Sequence, residues 1–94
     1  MSEFKEKRAH PRLKARLPVT ILTEHGVVQG ETVNIATTGA FVRCRGEIRE
    51  NEVYWMLIRF DRQSPILNGK ALWVERNGGG RGGDVTGVGV RFEL

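Results

Sequence analysis

The chain has one cysteine and two histidines among its 94 residues. Cys44 alone excludes an internal disulfide, and His10 and His25 lie too far from it in sequence to complete a zinc site of soft ligands. Aspartate is nearly absent, at Asp61 and Asp84 only. No carboxylate pair, Ser/His/Asp set or Cys/His pair falls in a definable turn, so the sequence reads as a non-enzyme, with no catalytic and no metal-binding residues. Long hydrophobic runs are missing too. The longest, Val53 to Ile58, is far too short to span a bilayer, and the opening MSEFKEK has no apolar stretch of signal-peptide length. A cytoplasmic, reducing location without membrane insertion is the expectation.

Helical periodicity is scarce, and what takes its place is alternation. Arg16 to Glu24 puts Leu17, Val19 and Ile21 on one side and runs into the turn signal His25-Gly26. Val27 to Ile35 is a second extended stretch. In Ala40 to Arg45, Ala40, Val42 and Cys44 share one face against Phe41, Arg43 and Arg45. Gly46 to Asn51 reads as a polar connection with room for one helical turn. Val53 to Asp61 is apolar on both faces at its centre, as in a strand of a closed or doubly covered sheet. Ile66 to Arg76 places Leu67, Ala71 and Trp73 on one face and Leu72 and Val74 on the other. Thr86 to Leu94 alternates strictly through Val88, Val90, Phe92 and Leu94. Trp55 and Trp73 read as core or barrel-wall residues.

Six strands with short connections imply an all-β domain, and closing so small a sheet removes its exposed edges. The expected fold is a six-stranded antiparallel β-barrel. Residues 1–94 form a single domain, with a flexible basic N-terminal arm over 1–15 and the barrel over 16–94. Side chains fill such a barrel, so a ligand belongs on its outer surface or rim.

The charge is concentrated in the arm. Residues 1–16 hold six Lys/Arg against two Asp/Glu, a surplus of four that equals the whole net charge of +4. Arginine outnumbers lysine eleven to four, and a guanidinium suits bidentate contact with phosphate or guanine better than an ammonium does. Within the arm, Lys7-Arg-Ala-His-Pro-Arg12 sets two arginines four apart, and Pro11 disfavours a helical His10. A small anionic ligand or nucleic acid is the natural partner.

Two loops invite a motif reading. Asn77 to Asp84 contains a literal GxGxxG in Gly78, Gly80 and Gly83, but a strand follows where the dinucleotide motif needs a helix, so it reads as a long hairpin loop. Asn34 to Val42, NIATTGAFV, is a turn between strands, with Asn34 suited to bonding nearby amides and Gly39 to a positive φ.

Arg8-Ala-His-Pro-Arg12 fits an RxxxR pattern, and Asn34-Ile-Ala-Thr-Thr-Gly39 fits (D/N)xSxxG at every fixed position except Ala36. With LPV at 17–19, GAFVR at 39–43 and GVGVRF at 87–92, the sequence resembles the PilZ domain, a family of receptors for the bacterial second messenger cyclic di-GMP. The resemblance covers essentially the whole chain. It implies a six-stranded split barrel whose arginine segment folds across the outer face toward the Asn34 turn.

Carried over position by position, the resemblance assigns Arg8 and Arg12 to the guanines and phosphates of the ligand. Asn34 would hold a guanine or the turn, and Gly39 would let the backbone approach. Lys7 occupies the position that influences how the arm packs and how many ligands bind. Ala36 lacks the hydroxyl of the family serine. The implied function is a cytoplasmic cyclic di-GMP-binding receptor or adaptor without a cofactor, passing its signal to a downstream protein partner in trans. Two other readings stay open: a ligand-blind adaptor of the same fold, and a small barrel that binds nucleic acid through its basic arm, the less expected partner.

Overall fold

The computed structural model describes residues 13–80 and 83–93, and no helix occurs among them. The elements are β1 (Leu13–Lys14), β2 (Pro18–Thr23), β3 (Gly26–Ile35), β4 (Gly39–Cys44), β5 (Val53–Ile58), β6 (Ile66–Gly80) and β7 (Gly83–Glu93). Their order round the sheet is β3-β2-β5-β6-β7-β4, and β4 pairs back onto β3, which closes a six-stranded antiparallel barrel as expected. The short β1 is an addition. It pairs with the end of β3, Leu13 opposite Ile35 and Lys14 opposite Asn34.

Closure follows from alternation. Val19 and Ile21 of β2, Val42 and Cys44 of β4, Met56 and Ile58 of β5, and Val88 of β7 all point inward and are buried. Each such side chain contributes roughly 1.5–3 kcal/mol when removed from water. Leu17 and Phe92 pack against this core from its margins. Leu94 lies outside the described residues.

The β2–β3 hairpin turns through Glu24 and His25, and Gly26 adopts φ 126°, a backbone angle that a side chain resists. The Thr23 hydroxyl donates to the Gly26 carbonyl at 2.8 Å and accepts from the His25 amide at 3.1 Å.

Three sequence expectations need correction. Gly46 to Asn51 forms no helical turn; it is an irregular crossing with Asn51 at φ 70°. The Asn51 amide donates to Ala71 O at 2.6 Å, and the Glu50 carboxylate accepts from the Val74 amide at 3.0 Å. This crossing drives Ile48, 2% exposed, into the end of the barrel. The Asn77 to Asp84 loop is instead mostly ladder: β6 runs on to Gly80, which pairs with Gly83 across a two-residue connection. Arg81 lies outside the described residues.

The third correction concerns a face. A bulge between Ala71 and Trp73 shifts the register of β6 against β7. An extra residue there inverts the alternation, so Trp73 lies outside and 44% exposed while Ala71 stays buried and Val74 packs on the core. β5, apolar on both faces at its centre, lies in a closed sheet as expected, and its outer side chains Val53 and Trp55 are about half exposed. Two cross-strand rows continue this outer surface, Gln29–Thr20–Leu57–Ile66 and Val27–Leu22–Trp55–Asn68. We call it the β5 wall. In the strand order β4 lies three strands from β5 in either direction, so the two face opposite sides of the barrel.

Candidate functional site

The Asn34–Gly39 stretch lies where β3 hands over to β4. Asn34 is not in the turn itself but on β3, half-buried, with Lys14 opposite on one side and Phe41 on the other. A register shift between Thr32 and Asn34 accompanies this position. The turn proper, Ala36 to Gly39, is closed by backbone: the Ala36 amide donates to Gly39 O at 2.8 Å, and the Phe92 amide donates to Thr38 O at 2.8 Å. No side-chain hydroxyl at position 36 is needed to hold it. Gly39 does not use a positive φ. A Cβ there would collide with the carbonyl of Val90, so the glycine is required by the close approach of β7.

The β4 side of the barrel carries an aromatic platform. Phe41 on β4 and Trp73 on β6 both pair in register with Gly89 of β7, which lies between them. Their ring centroids are 5.2 Å apart, tilted by 31°. The rings lie over β7 because it has no side chains in the way. A Cβ at Gly87 would sit 3.1 Å from the Phe41 ring, and one at Gly89 would overlap the Trp73 indole. Alternation alone identifies the valines of GVGVRF as core. That its two glycines make room for rings on the opposite face is visible only once β4 and β6 flank β7.

Charged side chains frame the platform. Across β3, β4, β7 and β6 runs the row Glu31–Arg43–Gly87–Glu75. Arg91 lies opposite Gly39 on β4 and Lys70 on β6. Its guanidinium donates to the Glu93 carboxylate at 3.0 and 3.2 Å. Both partners are substantially exposed, which limits such a pair to about 0–1 kcal/mol. An open groove of about 420 Å³, lined by Gln29, Glu31, Arg43 and Arg45 among others, flanks the far end of β4 from the turn.

Lys7, Arg8, Arg12 and His10 lie outside the described residues, but the root of their segment does not. Besides the β1 pairing, the Ala15 amide donates to Val33 O at 3.3 Å and the Thr32 amide to Leu17 O at 2.9 Å. The Thr32 hydroxyl, fully buried, accepts from the Leu17 amide at 2.9 Å and donates to Ala15 O. A buried hydroxyl with both functions satisfied is costly to replace. Thr32 therefore ties residues 15–17 to β3 next to the turn. Sequence reading passed over it as one more strand threonine, since its partners are fifteen and seventeen residues away.

Cys44 is buried, and burial pushes its thiol up to about 11. At neutral pH it is a protonated core side chain and a poor nucleophile. Among the described residues no three His, Cys, Asp or Glu side chains converge as a metal site, and no helix is long and apolar enough to cross a membrane.

Comparison with known families matches residues 6–94 to the PilZ domain. No curated protein sequence matches. Among solved structures, the PilZ domain of YcgR from Escherichia coli, solved with c-di-GMP, superposes with a TM-score of 0.74 at 9% identity, covering 93% of this chain and 78% of that one. The Bacillus subtilis inhibitor of motility (MotI/DgrA) also gives a TM-score of 0.74, at 14% identity. It covers all of this chain, which spans 48% of that protein. At such identities the likeness is one of fold.

Proposed function

This chain belongs to the PilZ domain family, and we propose from that premise that it is a cyclic di-GMP receptor module. The ligand lies on the β4 side of the barrel, between the Arg8/Arg12 arm and the Asn34–Gly39 turn. The observation that carries the reading is the tethering of the arm. β1 seats Leu13 and Lys14 opposite Ile35 and Asn34, and Thr32 holds the next residues. Arg12 is thus one peptide unit, about 3.8 Å in Cα separation, from a residue paired beside the turn, and Arg8 is within roughly 17 Å of chain from the same point.

The platform supplies what the charged groups cannot. Cyclic di-GMP carries two phosphates and two guanines, and the rings need a surface on which to stack. Trp73, with Phe41 beside it, offers one, and base stacking on an aromatic contributes about 1–3 kcal/mol. Arg8 and Arg12 supply guanine and phosphate contacts worth about 1–3 kcal/mol for each good bidentate pair. Lys7 adds charge at the arm. Asn34 offers its amide to a guanine, and Gly39 keeps the rim of the site low.

Ala36 in place of serine bears on the ligand-blind alternative. The turn is closed by backbone bonds, so the missing hydroxyl removes a ligand contact and not the site's shape. One neutral hydrogen bond nets about 0.5–1.5 kcal/mol, or roughly two- to tenfold in affinity. Calorimetric titration with cyclic di-GMP tests the proposal. Binding that is largely lost in Arg12→Ala and tightens about two- to tenfold in Ala36→Ser is the expected result. No heat and no amide shift at about millimolar ligand would leave a PilZ-fold adaptor that signals by protein contact alone. A downstream protein partner in trans belongs to this proposal in either case.

A further inference from the structure

The β5 wall takes no part in the nucleotide reading, yet it holds five of the eight large hydrophobic side chains exposed among the described residues. Leu22 is 50%, Trp55 53% and Ile66 61% exposed. Leu22 lies directly opposite Val27 on one side and Trp55 on the other, and Leu57 opposite Ile66, so the surface is contiguous. Together these side chains present on the order of 500 Å² of apolar surface, within the size range of the largest patches on monomers, which are often functional.

The chemistry of the surface says what fits it. In a chain 28% charged, the wall has Lys70 at its margin, opposite Val53, while the eight positions of its two cross-strand rows carry no charged side chain. A charged partner would find nothing to pair with there. A two-fold contact between identical chains, in contrast, brings the residues close to its axis against their own copies, so any charge there meets a like charge. A face uncharged at its centre, with an indole near its middle and Lys70 only at its margin, meets that condition; the β4 side, with Arg43, Arg91 and Glu75, does not. Closure of the barrel also removes strand addition as the route, leaving side-chain packing. With Thr20, Gln29 and Asn68 at its rim the face approaches the roughly 800 Å² per partner of an ordinary interface, enough for a weak dimer.

We propose that this wall is the contact of a two-fold homodimer, with Trp55 at its centre. The two nucleotide faces then point away from each other and remain open. The proposal is independent of the cyclic di-GMP reading.

Sedimentation velocity of the ligand-free chain between about 1 and 500 μM tests it, with a monomer–dimer midpoint expected in the tens to hundreds of micromolar. Trp55→Glu should weaken the dimer at least tenfold, whereas Trp73→Phe should leave it unchanged. In the Trp73→Phe chain, Trp55 emission should shift to the blue over the same concentration range. Amide spectra of dilute Trp55→Glu would verify that it folds, and its cyclic di-GMP titration should match that of the parent chain. A single monomeric species throughout the range overturns the proposal, as does a dimer indifferent to Trp55→Glu. Loss of nucleotide binding without loss of the dimer would sink the receptor reading and leave this one standing.

Discussion

The β4 and β5 walls are built by the same rule of alternation and share one core, yet their outer surfaces differ. On the β4 side, glycines at 87 and 89 let Phe41 and Trp73 lie over the backbone, and charged side chains border the rings. On the β5 side, branched aliphatic residues and Trp55 stand out from the strands, with Lys70 only at the margin, opposite Val53. A small barrel has only its outside to offer. One side presents rings framed by charged side chains, the other a largely apolar surface. The difference teaches that exposed hydrophobic residues on a barrel need separate explanations, because Trp73 and Trp55 are similarly exposed and meet different neighbours.

Three substitutions break or sharpen this contrast. The largest effect is expected at Thr32→Val, which strands the Ala15 carbonyl and the Leu17 amide. Urea unfolding should show a loss of about 1–3 kcal/mol, and the cyclic di-GMP titration should weaken as well. An unchanged affinity would detach the arm's root from the site. Gly89→Ala comes next. Its methyl group must displace the half-exposed indole of Trp73, at about 1 kcal/mol, the low end of overpacking costs. With Trp55→Phe as background, the Trp73 emission should move to the red and ligand affinity should fall. Smallest is Leu22→Thr on the β5 wall. At low protein concentration its stability should stay within about 0.5 kcal/mol of the parent, with nucleotide titration unaltered. A change in that titration would show the two walls to be coupled.

Much of the fold was legible in the chain. Strict alternation in Ala40 to Cys44 and in Thr86 to Phe92 placed the right side chains in the core. The two motifs pointed to the family, and the match of residues 6–94 to the PilZ domain bears that out. Alternation alone puts Trp73 on the same face as Ala71, but a bulge adds one residue and reverses the faces beyond it, and no local propensity marks that insertion. Ile48 was missed because a single apolar residue in a polar crossing has no periodicity to reveal it. The role of Thr32 was invisible because hydrogen bonds spanning fifteen or more residues leave no local pattern.

By itself the sequence determined the six barrel strands, most of their inward-facing residues, the basic leading segment and the family, since each is written in spacings of a few residues. Tertiary structure alone decided which outer side chains become neighbours. It seated the arm's root beside the Asn34 turn, placed Phe41 and Trp73 over two glycines and set β5 opposite β4. The physical reason is that cross-strand register is a global property of the closed barrel, settled by the packing of all six strands together.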